Sequence, residues 1–406
     1  MKSITQFSIY MGIALATVLS ACSKSEEVTF IPPDIPTSNP ITSDTIPAFA
    51  KGTLLANHTY TILQDVTVKA GDTLFAQPGV VVKVMNNAQV IVEGVLKLEG
   101  TKSAPVSFDS DTHQPGSWGG FHCNSAQAVT ILWTHVDNTG GPDPTGSARP
   151  SLTIKAPIVV DIEDSWFSNG QDDLMAISGG AKITILRNTI TSSGKADGEG
   201  INLKGAVTGD VAYNVIYSQA GSGVKLETSK SAPLPQTEVN VYNNTLLSNG
   251  WRRGAAEPGR GVSVGLNAIG HIYNNIIVNC YQGIEIFTDA DATKTTYDNN
   301  LFYATSDTYT DNTVTPAVSI VLKDNFYPSD GVGKRQPNDL VSTGVGNMDP
   351  KFKQFTGVFA APNGAPLAAD LSLQQGSPAL GHGNSKYNVD MGAYTSDGKG
   401  NQHTNN

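Results

Sequence analysis

Four acidic residues sit in two short glycine-bearing segments of this chain: Asp172 and Asp173 after Gly170-Gln171, and Asp197 and Glu199 on either side of Gly198. Basic residues follow at Lys225, Arg252, Arg253 and Arg260. Clustered carboxylates can bind a hard cation through their oxygens, and Asp173, Asp197 and Glu199 are the candidate ligands for Ca²⁺, the one cofactor the residues suggest. Alternatively, two carboxylates such as Asp172 and Asp173 can divide acid and base work across a bond to be cleaved. With a cation in place, Lys225 or Arg260 is the candidate base. Asn202, Arg252, Arg253 and Glu285 offer polar contacts to a substrate, and Trp251 offers a ring that could stack on a sugar or cap its own loop. The conservative reading of the same residues is that Asp172, Asp173 and the Asp197-Gly198-Glu199 segment bond their own turns, and that the arginines solubilise a long loop over residues 249–261.

Whether these residues meet depends on the elements that carry them. An apolar residue, two variable residues, a small polar residue and then a second apolar one recur at Ile131/Thr134/Val136, Ile162/Ser165/Phe167, Ile185/Asn188/Ile190, Val211/Asn214/Ile216, Val241/Asn244/Leu246, Ile272/Asn275/Ile277 and Tyr297/Asn300/Phe302. The polar anchors lie 31, 23, 26, 30, 31 and 25 residues apart, a period that marks a solenoid whose repeats bury their apolar faces against one another. A second short element follows each polar loop: Met175-Ala176-Ile177, Ile201-Asn202-Leu203, Val224-Lys225-Leu226, Val262-Ser263-Val264 and Ile284-Glu285-Ile286. Period-two segments of this length, with no sustained helical spacing, are strands. Several per repeat give an all-β parallel β-helix, with the anchor Asn residues stacked at one corner to bond bent backbone. In register, the middle residues Ala176, Asn202, Lys225, Ser263 and Glu285 form one outward row expected to face solvent. The acidic and basic loops gather beside that row, a ladder suited to an elongated polymer.

The runs Arg187-Asn188-Thr189-Ile190, Tyr242-Asn243-Asn244-Thr245-Leu246 and Tyr273-Asn274-Asn275-Ile276-Ile277 resemble the repeats of right-handed parallel β-helix proteins, the superfamily of pectate lyases and polygalacturonases. The resemblance implies a right-handed solenoid over residues 51–330 with capped ends, and a polysaccharide as partner. It leaves open whether the polymer is only bound, cleaved by a Ca²⁺-dependent lyase, or hydrolysed between two carboxylates. The segment from Gly170 to Ile177 resembles the double-Asp segment of polygalacturonases, but the Asn-Thr-Asp, Gly-His-Gly and Arg-Ile-Lys segments of that family are absent. A structural or adhesive protein with a protein partner is the remaining class.

At the N-terminus, Lys2 and an apolar run over residues 7–19 end in Leu19-Ser20-Ala21-Cys22, which resembles the lipobox of bacterial lipoproteins. The resemblance implies a signal peptide over residues 1–22 and a lipid on Cys22. Ser23, Lys24, Ser25, Glu26 and Glu27 resemble the tether of Bacteroidetes surface lipoproteins, which implies the outer face of the outer membrane and membrane contact through the lipid alone. A proline-rich spacer is expected over residues 23–50, and a closing segment over residues 331–406, where Met348-Asp349-Pro350, Asp370-Leu371-Ser372-Leu373, Gly376-Ser377-Pro378 and Met391-Gly392-Ala393-Tyr394 resemble the ends of many bacterial β-helices. A net charge of −10, with no basic stripe, argues against nucleic acid, and a monomer is expected. Cys123 and Cys280 are expected as buried free thiols, and the seven histidines form no pair at metal-ligand spacing.

Overall fold

The computed structural model describes residues 39–194, 198–229, 235–312, 315–344, 346–356 and 369–403. Three parallel sheets run the length of a solenoid in which each full coil gives one strand to each sheet. The first has ten strands, from Gly52–Leu54 to Thr296–Asp298. The second has eleven, from Thr59–Ile62 to Leu340–Val341, and the third has nine, from Val66–Val68 to Gln282–Ile286. At about 4.8 Å per strand the stack extends roughly 50 Å.

The repeat read in the sequence sets the register. Ile131, Ile162, Ile185, Val211, Val241, Ile272 and Tyr297 pair in one row of the first sheet. Val136, Phe167, Ile190, Ile216, Leu246, Ile277 and Phe302 pair in one row of the second. Both rows point inward and are buried except for Tyr297, which is half-buried against the same core.

Between the two rows the chain turns through one residue in the left-handed region. Trp133, Asp164, Arg187, Tyr213, Asn243, Asn274 and Asn299 hold this corner with φ between 45° and 58°. The next residue points inward and bonds the bend. Asn214 Nδ2 donates to Ile185 O at 2.9 Å, and its Oδ1 accepts from the Asn188 backbone N–H at 2.9 Å and from Asn188 Nδ2 at 3.0 Å. Asn244, Asn275 and Asn300 repeat the pattern, and Asp339 ends it by accepting the Asn300 N–H at 2.9 Å. The corner carbonyls and amides, out of reach of any strand partner, are thereby satisfied in the buried interior.

Both ends differ from expectation. The spacer expected as far as residue 50 gives way to packed chain at Pro40, where Pro40, Thr45 and Phe49 bridge Thr53, Thr61 and Thr67 in parallel. Ile41, Ile46 and Ala50 are buried there, because these apolar residues fall where an opening coil must fill the end of the core. The prolines beside them lack the N–H another strand would need, so the segment blocks edge pairing. Residues 23–38 of the expected spacer, and Cys22 with them, lie outside the described residues.

The closing segment does more than cap an end. It lies along the outer face of the second sheet, where Phe352, Ala369, Leu371, Ala379, Met391 and Ala393 join Val215, Tyr217, Leu247, Ile276, Val278, Leu301 and Tyr303 in a second apolar cluster. Those strands are apolar on both faces, and the returning chain covers the outer one. The end of the rod itself is closed earlier: Ile284 N–H donates to Phe326 O at 2.9 Å, and Leu340–Val341 extends the second sheet. Cys123 and Cys280 are buried free thiols.

The corner ladder yields a direct expectation. Asn244→Leu strips partners from Asn214, Asn275 and Val211 O, and should lower the unfolding free energy by roughly 3 kcal/mol or more. Asn240→Ala, outward on the preceding strand, should cost under about 1 kcal/mol. Denaturant midpoints of the two variants measure the difference.

Candidate functional site

The third sheet carries the outward row read in the sequence. Pairing aligns His122, Thr153, Ala176, Asn202, Lys225, Ser263 and Glu285 on successive coils. The loops that enter this sheet bring Asp172, Asp173, Glu199, Arg253 and Arg260 beside it. Asp173 joins loop to row: its carboxylate accepts the Glu199 backbone N–H at 2.8 Å and Asn202 Nδ2 at 2.7 Å. Glu199 lies 3.4 Å from Arg253 and 3.8 Å from Lys225, and Lys225 lies 3.3 Å from Glu227. Gly221 lies close beneath this pair: a Cβ there would fall 2.8 Å from Glu199 Oε1 and 3.2 Å from Arg253 Cζ. Farther along, Arg260 Nε donates to Glu285, its Nη1 donates to Pro258 O, and its guanidinium lies 5.0 Å from the Phe287 ring.

The row faces outward but not into open solvent. Asn202 is 7% exposed, Ser263 2% and Glu285 1%. Loops from neighbouring coils explain this: Ser222 Oγ lies 3.3 Å from Ser263 Oγ, and the backbone at Gly331 closes over Glu285. Beneath that cover, Thr153 Oγ1, Asn202 Oδ1, Gln282 Oε1 and Glu285 Oε1 are buried without a hydrogen-bond partner.

Two candidates point elsewhere. Trp251 is in the core, with Nε1 donating to Asn279 O at 2.7 Å and its ring against Tyr281 and Tyr309, so it presents no face to a sugar. The loop it starts turns inward at once, because the indole fills the space beneath. Arg252 runs back toward the second sheet, donating to Ser218 Oγ at 2.8 Å and to Gly194 O, and burial pulls its guanidinium down to about 10. Arg253 alone of the pair reaches the row. Asp197 lies outside the described residues. Among the described residues no group of three or more His, Cys, Asp or Glu side chains could hold a metal ion, and both oxygens of Asp173 are taken by protein donors.

The electrostatics separate acids from bases. Burial, and then repulsion from Asp173, push the Asp172 carboxyl up to about 6. Burial and the Asp173 charge push Glu199 up to about 8 against the pull of Lys225. Burial opposes the charge on Lys225, but Glu199 and Glu227 outweigh it and hold the ammonium above its usual range. Lys225 is therefore a cation at neutral pH and is not a base there. Glu199 keeps its proton through neutrality, whereas Asp172 has lost most of its own. Sequence reasoning did not single out Thr153, Glu227 or Gln282 as site residues. Glu227 was accessible as the next outward residue after Lys225, whereas Thr153 and Gln282 stand out only through their unsatisfied oxygens.

Three long parallel sheets joined by short turns, with an inward amide ladder at one corner, define a right-handed parallel β-helix. Residues 119–302 match the family model described as a right handed beta helix region, and residues 47–130 match the one described as a pectate-lyase like beta helix domain. No curated protein and no solved structure matches the chain.

Glu199 makes the site's pH response testable. The folded chain keeps the Glu199 proton to about 8, whereas an unfolded glutamate loses it near 4.5, so folding stability falls as pH rises between these values and is level above them. Glu199→Gln should remove that slope. Urea midpoints across the interval should show the variant gaining on the parent with rising pH; parallel midpoints would contradict the assignment.

Proposed function

We propose that this chain is a lipid-anchored outer-membrane protein that binds a polysaccharide along the third sheet. The observation that carries this reading is the outward row of the third sheet, where the half-buried His122, Ala176 and Lys225 stand in line with the polar Thr153, Asn202, Ser263 and Glu285 at the coil spacing. A polymer laid along the row offers hydroxyl groups at intervals, and a repeating ligand suits a repeating surface. The match to a pectate-lyase like domain supports the ligand class. The lipobox-like Cys22 and the acidic segment after it support the anchor and its outward display.

Cleavage is a second reading with its own observation: Asp172, Asp173 and Glu199 meet on adjacent loops, and burial holds Glu199 protonated through neutrality while Asp172 ionises near 6. Hydrolysis by an acid and a base fits this arrangement better than proton abstraction by Lys225.

Calorimetric titration of the full chain with acidic and neutral polysaccharides, run alongside assays of released reducing ends with and without Ca²⁺, tests both readings. Asn202→Leu should weaken binding about tenfold, the equivalent of one lost hydrogen-bonding position. Reducing ends lost in Glu199→Gln would establish an enzyme. No binding anywhere in the panel would overturn the polysaccharide reading in favour of a protein partner.

A further inference from the structure

The corner between the first and second sheets holds a pocket of about 510 Å³, lined by Trp133, Asp164, Arg187 and Tyr213 from the rod and by Gly398, Lys399 and Gln402 from the returning C-terminal segment. The four rod residues are the left-handed corner residues of four consecutive coils, with φ of 45°, 51°, 58° and 56°. In the next three coils the same corner is Asn243, Asn274 and Asn299, the residue type that tolerates this conformation best. Trp133, Arg187 and Tyr213 are thus the bulky exceptions of the column, and all three line the pocket. Bulky side chains held in the left-handed region are strained, and such strain is kept where the side chain has work to do.

Anchoring of the C-terminal segment rests mainly on backbone groups of the corner, with the Tyr213 phenol adding one hydrogen bond to Asn388. Asn401 Nδ2 donates to the backbone carbonyls of Arg187, Asn188 and Tyr213 at 3.0, 3.3 and 3.4 Å, which any residue would offer. The main ring contact of the tail, His403, stacks on Trp166 at 3.9 Å, with His135 also stacked on that indole at 4.2 Å, whereas Trp133 meets His403 only at a tilted 5.7 Å.

We infer that this pocket is a second binding site and that its ligand is a neutral sugar residue. The half-buried Trp133 indole suits the C–H face of a pyranose ring, with the buried Tyr213 phenol behind it, and the surrounding polar groups supply both donors and acceptors. Arg187 holds Asp164 in a two-point pair at 2.8 and 2.8 Å and also donates to Glu163. Lys399, 76% exposed, and Gln402 complete the rim. The two cations stand against three carboxylates, Asp164 and Glu163 at Arg187 and Asp397 at Lys399, leaving no excess positive charge to hold a uronate or a phosphate. The site lies on a different corner from the third-sheet row and does not depend on the proposal made for that row. One ring fits here, where the row would take a chain.

Fluorescence of the full chain, titrated with neutral gluco-, manno-, galacto- and xylo-oligosaccharides, tests the inference. Of the four tryptophans, Trp118 and Trp251 are fully buried, so a saturable change reports Trp133 together with its neighbour Trp166, 5.9 Å away. Trp133→Asn installs the residue type of the later coils and removes the reporter, so its affinity is read by calorimetric titration; it should weaken the sugar by about tenfold or more while leaving the thermal midpoint unchanged or raised. Gln402→Ala, on the exposed rim, should weaken it without touching the core and decides the matter if Trp133→Asn unfolds. Asn202→Leu, on the third sheet, should leave the fluorescence change intact. A panel without any saturable change, unaltered affinity in Trp133→Asn or in Gln402→Ala, or loss of the signal in Asn202→Leu would each overturn the assignment.

Discussion

A parallel β-helix must bend its backbone once per coil where no neighbouring strand can receive the freed amides and carbonyls, and in this chain stacked asparagines meet that constraint. The amides of Asn188, Asn214, Asn244, Asn275 and Asn300 each bond the coil on either side, so a one-residue slip anywhere in the ladder would break contacts above and below at once. Side chains alternate with period two, and such a slip would also turn every core residue of that strand outward. Register at the corner therefore fixes register in all three sheets. The row on the third sheet owes its alignment to buried amides that it does not touch.

The sequence made this much visible because the same residue types do the same work in each coil. Anchor spacing located the corners, and period two located Ala176, Asn202, Lys225, Ser263 and Glu285 on one outward line, as the pairing shows. Burial of that line was not visible, since the loops over it enter from neighbouring coils and their paths follow no period. Trp251 and Arg252 sit side by side in one such loop, and a single turn sends the first into the core and the second toward Ser218. The flanking role of the C-terminus did leave a trace. Val215-Ile216-Tyr217 and Ile276-Ile277-Val278 are apolar on both faces, which a strand open to water on one side is not. The prolines of residues 40–50 misled for a physical reason: composition suits both an extended spacer and a blocked edge, and only Ile41 and Ile46 separate the two.

The ions along the third sheet are arranged as neighbours rather than as isolated charges. Lys225 answers Glu199 and Glu227, Arg253 answers Glu199 and Glu257, and Arg260 answers Glu285. Partly buried pairs of this kind return little net stability once desolvation is counted. Their effect is to fix side-chain positions on a surface that has few apolar contacts of its own. Recognition on such a surface depends on direction more than on charge.

The division of labour at the corner explains how one fold carries separate surfaces. Each bend needs two residues, one to take the left-handed conformation and the next to supply the buried polar group. The second is constrained by its neighbours in the ladder, while the first contributes only backbone to the bend and has its side chain outside the core. A coil can therefore exchange Asn for Trp, Arg or Tyr at the first position at a local conformational cost, without disturbing the stack beneath. Trp133, Arg187 and Tyr213 are three such exchanges in four consecutive coils, and the chain returns from its far end to wall the space above them. The ladder that fixes the fold leaves the adjoining column free to vary, and that column is where this solenoid can acquire a site without rebuilding its core.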